Sequence, residues 1–336
     1  MEDKVCVVTV TYGNRFHFLK QVVDTALKEG VYKVIVVDNN SEPESREKLK
    51  EYEKELSSQR IKVLYLDDNY GSAGRFKRGL KEAYNDPACE FIWLLDDDCV
   101  PQSNALIELI SIYEKKLKEI GNDNFALCSF RPQVDDRAKL ILAGKNKIAN
   151  LIFRQNNTYK GFHVTSFLFK LLIKLKIIDI SKNLFSVDDK IIEYDSCGYS
   201  GLSFNKEIIQ EVGLPDENLF LYSDDIEYTC RITKKIGRKI FIVTNSLLQD
   251  IDFSYPSSIF GIMGLSDYKL YYGVRSTIMV EKKYKTTNSF IYNLNRYTFS
   301  LLLKILYFLN YINKDRYQLI LKALKDGEDG LVGKTL

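Results

Sequence analysis

The chain is 336 residues long, 45% hydrophobic and 28% charged, the balance of a folded globular protein and not of a disordered one. That length accommodates one large domain, or one domain with a helical appendix. A formal net charge of +3 is too small to call for nucleic acid as a partner, and none is expected.

Residues 4–11 are a continuous β-branched run, which predicts a buried strand. Tyr12-Gly13-Asn14-Arg15 breaks the run, and residues 16–28 carry apolar side chains at helical spacing. A second buried strand, 34–37, ends at Asp38-Asn39-Asn40-Ser41, and a charged helix follows over 44–56. A strand over 61–66, a helix over 73–84 and a strand over 91–95 continue the alternation. Alternation of this kind predicts an α/β fold with a Rossmann-like, mostly parallel sheet flanked by helices.

The pattern loosens after Asp123. Residues 125–130 read as a strand, 149–187 as a lysine-rich amphipathic insertion, and 191–195 and 200–204 as strands again. A helix starting near Ser223 carries Asp224, Asp225, Glu227, Tyr228 and Arg231 and stops around Gly237; 238–244 is a final strand. From about Ile259 the signal is helical. The expected organisation is an α/β domain over 1–255, with the insertion at 149–187, and a helical C-terminal extension over 256–336.

The apolar strand 91–95 runs into Asp96-Asp97-Asp98. Ligands of open α/β sheets bind beyond the carboxyl ends of the strands. Three adjacent carboxylates repel one another unless a cation neutralises them, so the triplet points to a metal–diphosphate site. Alone, it reads equally as an Asp-rich turn capping a helix that starts near Gln102. Two further strand ends, at Thr11-Tyr12-Gly13-Asn14 and Asp38-Asn39-Asn40-Ser41, share that edge, and their Thr, Asp and Asn suit a base and ribose. Residues 69–79 add a small-residue turn, a helix N-terminus and the cations Arg75, Lys77 and Arg78, a combination that receives phosphate. This loop lacks the Walker lysine spacing and follows the third strand, so it is no dinucleotide fingerprint.

Asp224, Asp225 and Glu227 form a second acidic cluster far along the chain. One cluster for a metal and one for proton abstraction is the division of labour needed to displace a nucleotide from an activated substrate. In isolation the second cluster also reads as acids favoured in a helix first turn by the dipole.

Together these segments resemble family 2 inverting glycosyltransferases of the GT-A fold. The resemblance runs from about Val5 to Arg275 and rests on residues 7–12, 36–41 and 69–74, Asp96-Asp97-Asp98 and residues 224–228. Tyr271-Tyr272-Gly273-Val274-Arg275 resembles a segment of the galactofuranosyl- and rhamnosyltransferase branch. The resemblance implies that residues 1–255 bind a nucleotide sugar and carry the chemistry. Thr11, Tyr12, Asp38 and Asn40 would hold the nucleoside, Arg75 would lie near the nucleotide or its phosphates, and Asp97, beside Asp96 and Asp98, would also bind the nucleotide. Asp96 and Asp98 would bind a divalent cation, Asp225 would be the general base, and Asp224 and Glu227 would shape the acceptor pocket. The acidic triplet is closest to enzymes that use UDP-galactofuranose, with dTDP-rhamnose the alternative donor. Relatives carry a metal-binding His roughly two dozen residues after the base, whereas residues 246–252 here contain none. Gln249 or Asp250 would supply an oxygen ligand instead, which favours Mg²⁺ or Mn²⁺.

The six cysteines are scattered without a Cys-x-x-Cys pair, and there are two histidines, so neither a structural zinc site nor a disulfide framework is expected. A reduced, cytoplasmic setting fits, and the N-terminus does not read as a signal peptide. Lysines interrupt the longest apolar stretches, 167–180 and 300–312, which are shorter than the ~20 residues of a bilayer span. Two basic amphipathic stretches, 160–182 and 282–316, read equally as core helices with solvated lysines and as a peripheral contact with the anionic inner face of the plasma membrane. The resemblance implies a glycan or lipid-linked glycan as acceptor. Other readings are a nucleotidyltransferase, which would release pyrophosphate, and a catalytically degenerate, membrane-associated glycan-binding protein.

Overall fold

The computed structural model describes residues 4–56, 58–175, 191–252 and 264–336. In chain order the elements are β1 (Val5–Thr11), α1 (Phe16–Lys28), β2 (Lys33–Asp38), α2 (Pro43–Glu55), β3 (Ile61–Tyr65), α3 (Gly71–Asn85), β4 (Phe91–Asp96) and β5 (Cys99–Pro101). There follow α4 (Ala105–Ile120), β6 (Phe125–Phe130), α5 (Asp136–Leu142), α6 (Asn146–Ile152), α7 (Val164–Lys174), β7 (Ile191–Tyr194), β8 (Leu202–Asn205) and α8 (Ile208–Val212). The chain continues with α9 (Asp224–Cys230), β9 (Lys239–Asp250), α10 (Asp267–Val280), α11 (Ser289–Phe308) and α12 (Lys314–Glu328).

Two compact units emerge. The first comprises Met1–Asp135, Asp189–Phe220 and Asp224–Ser254 and holds the sheet; the second comprises Asp136–Asp188, Leu221–Ser223 and Tyr255–Leu336. The nine strands are ordered β3-β2-β1-β4-β8-β6-β9-β5, with β7 also on β9. The β3-β2-β1-β4 half is parallel, as its buried apolar runs predict. Beyond it the sheet is mixed: β8 is antiparallel to β4 and β6, β6 runs parallel to β9, and β5 and β7 lie antiparallel to β9.

All seven residues of β1 are buried, which is why its sequence does not alternate. On one face of the sheet α3 approaches β1 and β2 through Gly79. A Cβ there would lie 2.4 Å from Val8 Cγ1 and 3.1 Å from Val37 Cγ2. The last strand extends to Asp250, beyond the expected 238–244. Its second half alternates, with Ser246, Leu248 and Asp250 buried and Gln249 exposed, but the polar Asn245-Ser246 pair hides that period in the sequence.

The second unit is helical. The part of the 149–187 insertion beyond residue 175, and Ile259, lie outside the described residues. Arg275 is fully buried on α10; its guanidinium donates to Gly333 O and Thr335 Oγ1, both at 2.8 Å, and so ties down the C-terminal segment. Asn157 and Asn295 stitch the loop before α7 onto α11: Asn295 Nδ2 donates to Asn157 O at 2.7 Å and Asn295 Oδ1 accepts from Val164 N at 2.9 Å. No helix of the described residues is long and apolar enough to cross a membrane.

Gly79→Ala is expected to destabilise the first unit by about 1–3 kcal/mol, because the added methyl overpacks a closed interface. A lower urea midpoint with an unchanged slope would show it, and an unchanged midpoint would contradict the close approach.

Candidate active site

The acidic triplet sits where the sequence placed it, at the carboxyl end of β4, but each carboxylate has its own surroundings. The Asp96 backbone N–H donates to Ser200 Oγ at 2.8 Å, and that hydroxyl donates back to Asp96 Oδ2 at 2.6 Å. Asp97 is buried and receives Thr11 Oγ1 at 2.8 Å and the Arg15 guanidinium through both of its oxygens. Arg15 reaches further, with Nη2 on Asp98 Oδ2 at 2.7 Å and Nη1 on Asp252 Oδ2 at 2.6 Å. Burial works against the charge of Arg15, but the surrounding carboxylates outweigh it and hold the guanidinium protonated more firmly than usual. Asp98 is pushed up to about 6, by burial first and then by Asp96 and Asp97, with Arg15 opposing.

The carboxylate oxygens of Asp96 and Asp98 and the Cys99 sulfur lie within 4.8 Å of one another. Burial pushes the Cys99 thiol well above its ordinary range, so it stays protonated and is a weak ligand. The oxygen pair fits a hard divalent cation. Of the two further ligand candidates, Asp250 is buried and ion-paired with Arg131, and its Oδ1 accepts from Cys99 Sγ at 3.3 Å. Gln249 does not join the cluster: it is exposed and accepts from Gln102 Nε2 at 3.1 Å, because alternation along β9 turns it away from Asp250.

Of the expected nucleoside residues, Tyr12 lies between two guanidiniums, Arg15 at 5.4 Å and Arg75 at 5.1 Å from its ring centre. Asp38 is buried; Oδ1 accepts from Ser41 N at 3.0 Å and Oδ2 lies 2.7 Å from Arg46 Nε without hydrogen-bond alignment. Asn40 is exposed at φ 58°, while Asn39 is buried and braces the loop before α3 through Asn69 and Tyr70.

The second acidic cluster opens α9. Phe220, Tyr222 and Ser223 precede it in the left-handed region, at φ 65°, 62° and 58°, a strained approach for residues with side chains. Gly71 permits it, since a Cβ there would lie 2.0 Å from Phe220 O. Asp224 is buried and its carboxyl is pushed up to about 8, by burial first and by the adjacent Asp225 carboxylate second. Asp225 is half-buried, and its Oδ1 accepts from Ile226 N at 2.7 Å. Glu227 is buried and bonded to Arg231 at 2.9 Å; that arginine in turn donates to Val212 O and Leu214 O. Its contacts are those of a brace for α9.

Two features bring the clusters together. The Arg75 charge acts on both Asp97 and Asp224. The loop between β7 and β8 touches both: a Cβ on Gly198 would lie 3.4 Å from Asp225 Oδ2, and Ser200 holds Asp96. Ser200, Arg15, Arg131 and Asp252 were not legible as site residues. Only Arg15, four residues beyond Thr11 on the same strand-end loop, carried a positional hint.

The mixed sheet, with its strand-end acidic triplet, has the GT-A fold of known glycosyltransferases. The sequence profile of glycosyl transferase family 2 matches residues 6–176, and the chain belongs to that family. It is 24% identical over 238 residues to the galactofuranosyltransferase GlfT1 of Mycolicibacterium smegmatis, covering 69% of this chain and 66% of that protein, just under two thirds of its length. Among solved structures it is similar to GalNAc-T7 with UDP, GalNAc and Mn²⁺, at a TM-score of 0.52 and 14% identity, covering 82% of this chain and 47% of that one. It is likewise similar to residues 1–349 of S. aureus TarS, at a TM-score of 0.51 and 14% identity, covering 98% and 81%.

The raised Asp224 carboxyl has a thermodynamic signature. The folded state keeps a proton that the unfolded chain releases near pH 4, so this group stabilises the fold at low pH, and that contribution is lost as pH rises through about 8. Asp224→Asn, which cannot ionise, is expected to gain on the wild type between pH 5 and 8, by up to about 1.4 kcal/mol per pH unit. Urea unfolding across that range measures it, and parallel curves for the two proteins would refute the assignment.

Proposed function

We propose that the chain transfers galactofuranose, with inversion and with a divalent cation, from UDP-galactofuranose to a hydroxyl of a glycan or lipid-linked glycan in surface-polysaccharide synthesis. The observation that carries this reading is the convergence of the acidic triplet and the Asp224-Asp225 pair on Arg75 and on the Gly198–Ser200 loop. The similarity to a galactofuranosyltransferase supports the choice of donor.

Asp96 and Asp98 would hold the cation, which when bound screens the charge of the diphosphate. Arg75, whose Nε has no hydrogen-bond partner among the described residues, would face the same phosphates. Tyr12 and Asp38 would bind the nucleoside, with Asn40 at the rim. Asp225, more exposed than its neighbour, would accept the proton of the acceptor hydroxyl. The acceptor oxygen then bonds to the anomeric carbon on the face opposite the diphosphate, the carbon–oxygen bond to UDP breaks, and the configuration inverts. Asp224 is kept neutral by its surroundings and so does not compete as a base.

Asp225→Asn is expected to lower turnover by about 10²–10⁴-fold with UDP affinity nearly unchanged; a fully active variant would remove the base assignment. Asp98→Ala is expected to weaken UDP binding only when Mg²⁺ or Mn²⁺ is present, and unaltered cation dependence in calorimetric titration would count against ligation by Asp98. Screening nucleotide sugars for UDP or dTDP release discriminates the donors, and pyrophosphate release instead would overturn the transfer reading.

A further inference from the structure

The second unit carries an apolar face that its own core leaves open. Along α11 the side chains of Tyr292, Asn295, Phe299 and Leu303 are buried. On the opposite side Phe290, Leu294, Tyr297, Leu301, Ile305 and Phe308 are 42–77% exposed. At 3.6 residues per turn these six fall within an arc of about 80° and form a stripe about 27 Å long. The helix contains no Asp or Glu; its charged residues are Arg296, which is paired with Glu328, and the exposed Lys304. Lys282, Lys283 and Lys285 lie just before it. Helix α7, in the same unit, has a similar composition: Leu168 and Leu171, and Leu175 just after it, are exposed among Lys170 and Lys174, and it too lacks an acid.

The charge of the unit agrees with this. It holds 22 Lys and Arg against 9 Asp and Glu, net +13, whereas the first unit holds 26 against 36, net −10. A single scattered apolar side chain needs no explanation, but a continuous stripe on a cationic background does.

We infer that the exposed face of α11 docks on the surface of an anionic lipid bilayer, α11 lying flat at the headgroup–acyl boundary. The apolar stripe supplies the buried area and the lysines meet the anionic headgroups. Phe290, Tyr297 and Phe308 are the side chains such an interface favours. A second copy of the chain is a poorer occupant, since pairing two stripes would set two units of +13 and both Lys304 side chains against each other. No described helix can span the bilayer, so the contact is in-plane.

Docking rests on the second unit alone; that the docked enzyme meets a lipid-linked acceptor rests on the transfer reading. The test is sedimentation of the full chain with phosphatidylglycerol-containing vesicles and with pure phosphatidylcholine vesicles, at low and high salt. The expected result is binding to the anionic vesicles that weakens with salt. Binding should fall about tenfold or more in the Leu301→Glu, Phe308→Glu double variant, whose surface positions leave the thermal melt unchanged. A Tyr297→Trp variant gives a second readout: brominated lipid should quench its added fluorescence. Absence of vesicle binding at low salt, equal binding by the double variant, or a dimer that the double variant dissolves while vesicles bind neither form would each overturn the proposal. Donor hydrolysis assayed without vesicles reports on the transfer reading independently.

Discussion

Five carboxylates, on Asp96, Asp97, Asp98, Asp250 and Asp252, crowd the edge where β4 and β9 end, and the first unit must hold them there without a matching number of cations. At a separation of ~4 Å and an effective dielectric of ~20, each like-charged pair costs on the order of 4 kcal/mol. Arg15 and Arg131 offset much of that. Arg15 bridges three of the five, and Arg131 pairs with a fourth. What remains is concentrated on Asp96 and Asp98, whose oxygens stay close together, and the carboxyl of Asp98 is raised by its burial first and by the uncancelled repulsion of Asp96 and Asp97 second. Two carboxylates left this close together would gain from a divalent cation between them, which is why Asp96 and Asp98 are the residues that would hold one.

The pair opening α9 separates two neighbouring acids by environment. Asp224 is enclosed, and its carboxyl is pushed toward the neutral form; Asp225 is half-buried and lies beside Gly198. Adjacent acids in unlike surroundings can take different protonation roles at one pH. The left-handed backbone before them sets the direction in which α9 departs, and the close approach of Gly71 to Phe220 O fixes that strained turn.

Much of this could be read in the sequence, for physical reasons that also show where reading failed. Buried parallel strands leave continuous apolar runs, so β1, β2 and β4 and the polar residues at their ends stood out. The antiparallel half was harder, because β8 and β5 are short and the last part of β9 mixes polar with apolar residues. The misplacement of Gln249 follows from that: without knowing that the strand continues, two neighbouring oxygen ligands look equivalent, whereas alternation puts them on opposite faces. Arg15 and Arg131 were missed because an arginine after a strand looks like any solvated loop residue. Only the fold reveals that carboxylates distant in sequence surround each of them.

The charge of the chain is legible only in the same three-dimensional frame. A net +3 excludes little, yet it is the residue of +13 on one unit and −10 on the other. Neither unit is contiguous: the second gathers 136–188 and 255–336, so a window sliding along the sequence crosses between units before the bias accumulates. Part of the acidity of the first unit lies at its site, where Asp96, Asp97, Asp98, Asp250 and Asp252 outnumber Arg15 and Arg131. The basicity of the second has no such site to serve among its described residues, and its helices place exposed leucine and phenylalanine among the lysines. Cationic charge that merely solubilised the unit would be expected to displace large apolar side chains from the surface of α11. Their coexistence along one helix, which already buries a separate apolar face, implies a second medium for that surface besides water.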